Sequence, residues 1–155
     1  MADRLIPGDR GLGSLKPGKL LVANPELKEP LVERSVFLVL DIYPQDNEVE
    51  ALMLHLPMKK KVNEHYDGWD NFLTGDSAYF RVGGLAEVSS ARFVGVPKDG
   101  IDPSAHLHMN PLTDKLAVLH GSKEPERLMR DVEDARMYIG VTYFDLAMLL
   151  SLIHI

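Results

Sequence analysis

The order of apolar and polar residues along the chain predicts mainly β-strands. Near-continuous apolar runs occupy 19–23 (KLLVA) and 35–41 (SVFLVLD), as in strands that are buried on both faces. A polar run with Pro, Asp and Asn at 43–48 predicts a turn before the next apolar run at 50–56. Antiparallel pairing through this turn is the simplest arrangement. Shorter strands are predicted at 78–82, 91–96, 116–120 and 136–140.

Two segments carry helical patterns. In Lys123–Asp134, Ser122 stands at the N-cap position and Pro125 fits the first turn. An apolar stripe follows at Leu128, Met129 and Val132. Phe144–Ile155 is apolar on nearly every face of a helix, so it is predicted to be buried in the core or in a second subunit, which favours a homodimer. The predicted fold class is therefore α+β: a mainly antiparallel sheet or partly open barrel with a few packed helices.

The length and composition fit one globular domain. The chain has 155 residues, of which 45% are hydrophobic and 26% are charged. Residues 1–17 are rich in Gly and Pro and are expected to form a flexible N-terminal segment, with 18–155 as a single domain. No apolar stretch reaches the length of a signal peptide or the ~20 residues of a membrane span. A cytoplasmic location is the resulting expectation.

Charge and cysteine content narrow the function classes. The net charge of −6 disfavours nonspecific binding to nucleic acid, because an acidic surface repels phosphate backbones. The basic run Lys59–Lys61 is interpreted as a solvated turn or as protection of a sheet edge, in preference to a DNA contact. Since the chain has no cysteine, thiolate catalysis and sulfur-based zinc sites are excluded.

Three places could contribute to a ligand site. Asn24 begins an Asn-Pro-Glu turn after the first strand, where it could contact a ligand or could simply cap the turn. Glu33 and Arg34 precede the second strand, where the arginine could bind a carboxylate or phosphate or form a structural ion pair. Gly83 and Gly84 could admit a ligand close to the backbone or could form a tight turn.

No catalytic, metal or cofactor site is predicted. His106 and His108 would face one side of a strand, but no third metal ligand accompanies them in the sequence. The glycine pair lacks the spacing of a dinucleotide fingerprint, and no nucleophile elbow is present. The partner is predicted to be a small molecule or another protein of unknown identity.

The sequence resembles the AlgH/YqgE-type family of small bacterial proteins. The resemblance rests on the opening GKLLVANPEL with ERSVFLVLD, on Gly83-Gly84, and on the later strand, helix and strand within 116–140. In place of the family's Asn-Arg-Pro, the chain has His55-Leu56-Pro57, and its segment after Gly140 also departs from the family pattern.

The resemblance implies a non-catalytic regulatory or binding protein, with a suggested link to transcriptional control of exopolysaccharide genes. The absence of a catalytic signature agrees with this function and favours a non-enzymatic protein. The alternative is a small hydrolase-like enzyme whose site is assembled from distant histidine and carboxylate residues.

Overall fold

The computed structural model describes residues 15–23, 35–66, 73–120, 125–147, 149 and 153–154. Strands dominate this part of the chain: β1 (Leu20–Ala23), β2 (Val36–Tyr43), β3 (Glu48–Met53), β4 (Leu56–Lys61), β5 (Tyr79–Val82), β6 (Ala86–Pro97), β7 (Met109–Pro111), β8 (Ala117–Leu119), β9 (Val132–Asp145) and β10 (Ile153–His154). The helix α1 spans Pro125–Met129. Single 3₁₀ turns lie at Pro44–Asp46, Val62–Glu64, Gly75–Ala78 and Pro103–Ala105.

The strands form an open, curled sheet in the order β10-β1-β2-β3-β9-β6-β8-β7, and β4 and β5 branch from it. Neighbours in this order pair antiparallel, whereas β5 pairs parallel with β9. The predicted β2–β3 hairpin is present, and its turn ends at Asn47 in the left-handed conformation with φ 57°. A short polar side chain tolerates that conformation, which accounts for asparagine at this position.

Strand β9 holds the two parts of the sheet together. Its first ten residues pair with β6, from Pro97 opposite Val132 to Ala86 opposite Val141. Its last four residues, 142–145, pair with β3 instead, while β5 adds to the same edge just before them. One strand of 14 residues therefore fixes the positions of β3, β5 and β6 relative to one another.

Buried side chains cover both faces of the curled sheet in three clusters. The fully buried side chains include Phe37 beside β9 at the β1–β3 end and Phe80 at the β6–β8 end. Phe37 meets Phe144 edge to face, with ring centroids 5.0 Å apart. Each such large side chain contributes roughly 1.5–3 kcal/mol by leaving water, so the clusters supply the main stabilisation. The third cluster is centred on Leu38, Leu52, Tyr138 and Val141.

The predicted α+β class is wrong, because no helix of seven or more residues occurs in the described part of the chain. The helix predicted at 123–134 is reduced to Pro125–Met129, and β9 already begins at Val132. Isolated helices of about 12 residues are marginal in water, whereas residues from Val132 onward gain a hydrogen-bonded partner in β6. The apolar stripe is real, but it spans a helix, a turn and a strand, and each of its members is buried.

The helix predicted over 144–155 is wrong at both of its ends, although the structure describes Leu149 between them as helical. Phe144 and Asp145 complete β9, and Ile153–His154 forms β10 beside β1. Leu146 and Leu149 pack against the cluster that contains Phe37. Leu149 is buried, in agreement with the expectation, and Leu146 is partly buried, while Ile153–His154 returns the chain to the sheet. Consequently β10 covers the edge of β1.

Candidate functional site

A cleft of about 650 Å³ opens beside the β4–β5 pair, and it is called the cationic cleft below. Its lining combines basic, acidic and apolar side chains: His55, Pro57, Met58, Lys59, Asp76, Tyr79 and Arg81. Most known ligand sites likewise combine apolar surface with a few convergent polar groups. The cleft is therefore the first candidate for a functional site.

Strand pairing brings the basic residues together. Pro57 of β4 lies opposite Arg81 of β5, and Lys61 lies opposite Tyr79, with a bulge between these two pairs. The bulge comprises residues 58–60 of β4, which lie opposite the stretch of β5 between Tyr79 and Arg81. Among the described strands β4 pairs with β5 alone, so its lysines stand along an edge of this part of the sheet, as the interpretation of edge protection requires. Lys59 combines that position with a place in the wall of the cleft.

Asp76 reaches the cleft from the 3₁₀ turn Gly75–Ala78. This turn is anchored by the buried Ser77, whose hydroxyl donates to Asp134 Oδ1 at 3.2 Å. Arg136 donates to the Ser77 hydroxyl and to both Asp134 oxygens, the latter at 2.9 Å. The acidic wall of the cleft is thus attached to β9 through a network in which Asp76 itself takes no part.

The basic side chains of the cleft differ from Arg92 and Arg136 in their partners. Arg92 and Arg136 each form ion pairs, with Glu50 and Asp134 respectively. In the part of the chain that the structure describes, neither Arg81 nor Lys59 forms an ion pair or a side-chain hydrogen bond. An arginine with free donors is suited to bidentate binding of a carboxylate or phosphate.

Arg81 also lies beside a buried tyrosine of β9. Tyr138 lies opposite Arg81 in the parallel β5–β9 pair. Burial raises the pKa of Tyr138, and the positive charges of Arg81 and Arg136 partly oppose that rise. Arg81 is therefore close enough to the buried Tyr138 to act on its ionisation, although the whole chain has a net charge of −6.

A second cleft, of about 520 Å³, is lined by Ala105, His106, Leu107, His108, Arg130 and Asp131. His106 Nε2 lies 2.7 Å from Asp131 Oδ2, and His106 Nδ1 accepts the backbone N–H of His108 at 3.0 Å. Because Nδ1 accepts, Nε2 carries the proton and donates to Asp131. Both ring nitrogens are occupied, so the pair joins two loops and leaves no free imidazole nitrogen for general base catalysis.

A third polar cluster crosses the sheet and connects side chains of β2, β3, β6 and β9. Glu50 of β3 is 7% exposed; its Oε2 accepts Arg92 Nε at 3.2 Å, and its Oε1 accepts the Tyr43 hydroxyl at 2.9 Å. Arg92 Nη2 also donates to Glu87 Oε1 at 3.2 Å, and Tyr143 donates to Glu87 Oε2. Hydrogen bonds from Tyr143 and Arg92 hold the pKa of Glu87 below its usual range. The cluster is internally paired, which indicates a structural function.

The Tyr43 hydroxyl predicts a loss of stability in alkali. Burial, together with the hydrogen bond to Glu50, raises the pKa of Tyr43 from 10.0 to about 12. A raised folded-state pKa contributes stability that is complete below pH 10 and is lost as pH rises through about 12. In Tyr43→Phe the free energy of unfolding, measured by urea titration, should fall less steeply across this range than in the wild type. Equal slopes in the two proteins would contradict the assignment.

Of the five predicted ligand residues, the structure describes two. Asn24, Glu33 and Arg34 lie outside the described residues. Gly83 and Gly84 lie where β5 ends and β3 approaches β9, and neither has a positive φ. The Gly83 N–H donates to Ile139 at 2.8 Å, and its carbonyl accepts Met53 N–H at 2.8 Å. The close backbone approach expected at this glycine pair is made to other strands of the same chain.

Sequence reasoning did not find the residues that line the cationic cleft. The lysine run was noticed, but its interpretation as edge protection did not connect it with Arg81, Asp76 or His55. Of these, only His55 carried a further signal, as part of the departure from the AlgH-type Asn-Arg-Pro. Glu50 also had a signal, since a charged residue within the apolar run 50–56 requires a partner.

Two negative findings apply to the described residues. They contain no cluster of three or more His, Cys, Asp or Glu side chains placed to hold a metal ion. They also include no helix with the length and apolar character needed to cross a membrane.

Sequence comparison finds relatives that carry the name UPF0301 protein. No family model matches the chain. A UPF0301 protein of Mycobacterium tuberculosis is 26% identical over 126 residues, which cover 81% of this chain and 61% of the relative. A UPF0301 protein of Rhodococcus erythropolis is 23% identical over 135 residues, or 87% of this chain and 66% of the relative. The chain thus spans about three-fifths of the length of the first of these relatives.

Two solved structures share the fold. A crystal structure of a Corynebacterium diphtheriae protein has a TM-score of 0.80 at 22% identity, covering 89% of this chain and 71% of that protein. The solution structure of AlgH from Pseudomonas aeruginosa, a UPF0301 protein, has a TM-score of 0.58 at 13% identity and covers 85% of this chain and 69% of AlgH. The predicted resemblance to AlgH-type proteins is confirmed.

Proposed function

We propose that the chain, which is similar in sequence to UPF0301 proteins and shares the fold of AlgH, is a non-catalytic binding protein for a small anionic ligand. One observation supports this proposal above the others. Arg81 and Lys59 converge on a cleft and form no ion pair with the described residues, whereas Arg92 and Arg136 are paired. An anionic ligand would supply the missing counter-charge.

The arrangement of the remaining polar groups favours binding over catalysis. His106, which has a carboxylate partner, uses both ring nitrogens within the fold. The Ser77 hydroxyl is held by Asp134 and Arg136 and lies in a network without histidine. The hydrolase-like alternative requires an activated nucleophile or a free base, and neither arrangement offers one.

Regulation is the biological setting that we propose for this binding. A ligand that stabilises one arrangement of the β4–β5 branch would shift the populations of conformations and alter how the protein meets a partner. This mechanism would suit the link to transcriptional control implied by the AlgH-type resemblance. It would operate in the cytoplasm, where small phosphorylated and carboxylated metabolites are made.

The proposal is tested with inorganic phosphate and pyrophosphate as probes, by thermal shift and calorimetric titration. At least one probe should raise the melting temperature of the wild type, since a ligand of the native state stabilises it. Arg81→Ala should weaken binding by about 10- to 100-fold, the equivalent of one lost charged hydrogen-bonding contact. Higher salt should weaken binding of the wild type, because the cleft is open to solvent.

Arg130→Ala is the matched control, since Arg130 is an exposed arginine in the other cleft. It should bind both probes as the wild type does. Failure of both probes to bind the wild type, or equal affinity in Arg81→Ala and the wild type, would overturn the proposal.

A further inference from the structure

The cationic cleft combines three kinds of chemistry that a bare anion would not use together. Lys59 and Arg81 are positive, Asp76 is negative, and Tyr79, Pro57 and Met58 present carbon surface. A carboxylate in the wall of an anion site costs binding energy through repulsion unless it accepts a hydrogen bond from another part of the ligand. The composition of the wall therefore restricts the ligand.

Resting on the binding function proposed above, we infer that the ligand is a phosphorylated sugar or a related phosphorylated polyol. Its phosphate would bind at Arg81 and Lys59, where the planar guanidinium and the ammonium supply donors. Its hydroxyl groups would donate to Asp76, which accepts no hydrogen bond from a side chain of the described residues. Such a ligand would contact both the positive and the negative side chains of the cleft.

The apolar part of the wall agrees with this class of ligand. The C–H groups of a sugar carry slight positive charge and contact the negative face of an aromatic ring favourably. Lys61 Nζ lies 5.7 Å from the centroid of the Tyr79 ring and so occupies one side of that ring. The cleft volume of about 650 Å³ lies within the roughly 300–1,000 Å³ typical of small-molecule sites.

The position of Asp76 is suited to the recognition of ligand hydroxyl groups. The aspartate lies on a 3₁₀ turn that begins at Gly75, which has φ +60°, and the next residue, Ser77, fastens the turn to β9. The turn is thus held independently of the side chain of Asp76. A carboxylate on such a support keeps a fixed distance from β5, as hydroxyl recognition requires.

Calorimetric titration with glucose 6-phosphate, ribose 5-phosphate, inorganic phosphate and glucose tests the inference. At least one sugar phosphate should bind the wild type at least about tenfold more tightly than inorganic phosphate, the effect of roughly one hydrogen bond to a charged group. In Asp76→Asn that advantage should fall to about threefold or less, while the affinity for inorganic phosphate should not fall and should rise if the carboxylate repels it. Asp114→Asn, at an exposed loop position, is the matched control and should behave as the wild type.

The outcomes separate the two proposals. If sugar phosphates and inorganic phosphate bind equally, or if Asp76→Asn keeps the full sugar-phosphate advantage, the ligand class is wrong while anion binding at Arg81 stands. If glucose alone binds as tightly as its phosphate, the phosphate contact is wrong. Circular dichroism of Asp76→Asn should match that of the wild type, because Asp76 is exposed and takes no part in the Ser77 network.

Discussion

Gly84→Ala should lower the free energy of unfolding by more than about 3 kcal/mol, or prevent folding altogether. A Cβ atom added at Gly84 would lie 2.1 Å from the Val141 carbonyl oxygen and 2.2 Å from the Val141 carbonyl carbon. Both atoms belong to the backbone of β9, which is paired with β6 and β3 and cannot move away without breaking these pairings. Urea unfolding followed by circular dichroism measures the effect.

Gly100→Ala is the control for this substitution. Nothing lies within 4 Å of a Cβ at Gly100, although its φ of +88° disfavours alanine. We therefore expect a cost of roughly 1–2 kcal/mol from backbone strain alone. If Gly84→Ala is no more destabilising than Gly100→Ala, the close packing of the β5–β6 connection against β9 is incorrect.

The same contacts show what the sequence could predict about the glycine pair. The residue type indicated either a turn with positive φ or a close backbone approach, and both interpretations follow from the missing Cβ. Choosing between them required the position of Val141, which is distant in the sequence and reaches Gly84 only through the sheet. Identification of the approaching strand therefore depended on tertiary structure.

The extent of β9 was underestimated for a related physical reason. Only 136–140 was predicted as a strand, because 132–134 was assigned to the helix Lys123–Asp134, whose apolar stripe ends at Val132. In the structure Val132 and Ala135 are buried and pair with β6, while Glu133 is exposed. Strand preference depends strongly on the neighbouring strand, which local propensity does not include. The β2–β3 hairpin was predictable because its two strands and their turn are consecutive.

The candidate cleft shows why the functional site could not be predicted from the sequence. Lys59, Asp76 and Arg81 come from a strand, a 3₁₀ turn and another strand, and none belongs to a recognisable motif. Their convergence depends on the register that puts Pro57 opposite Arg81 and on the anchoring of Ser77 to Asp134. A shift of one residue in that register would point Arg81 to the other face of the sheet. Sequence alone does not determine such a register.

Arg92→Ala should destabilise the protein by roughly 2–4 kcal/mol, because it leaves the buried Glu50 carboxylate without its positive partner. Among the described residues Glu50 would then retain the hydrogen bond from Tyr43, which does not neutralise its charge. Glu87 would lose the same partner, but it is exposed and keeps its bond from Tyr143. The main cost therefore arises at Glu50, and urea unfolding at neutral pH measures it.

Two further variants separate this cost from the loss of arginine packing. The double variant Glu50→Gln with Arg92→Ala should be more stable than Arg92→Ala alone, since glutamine removes the unpaired charge while keeping a similar shape. Arg136→Ala removes an arginine from a more exposed pair with Asp134 and should cost about 1 kcal/mol or less. If Glu50→Gln gives no recovery, or if Arg92→Ala costs no more than Arg136→Ala, the charge on Glu50 is not what Arg92 stabilises. Recovery would show that Arg92 of β6 allows a carboxylate to be buried on β3, which lies between β2 and β9.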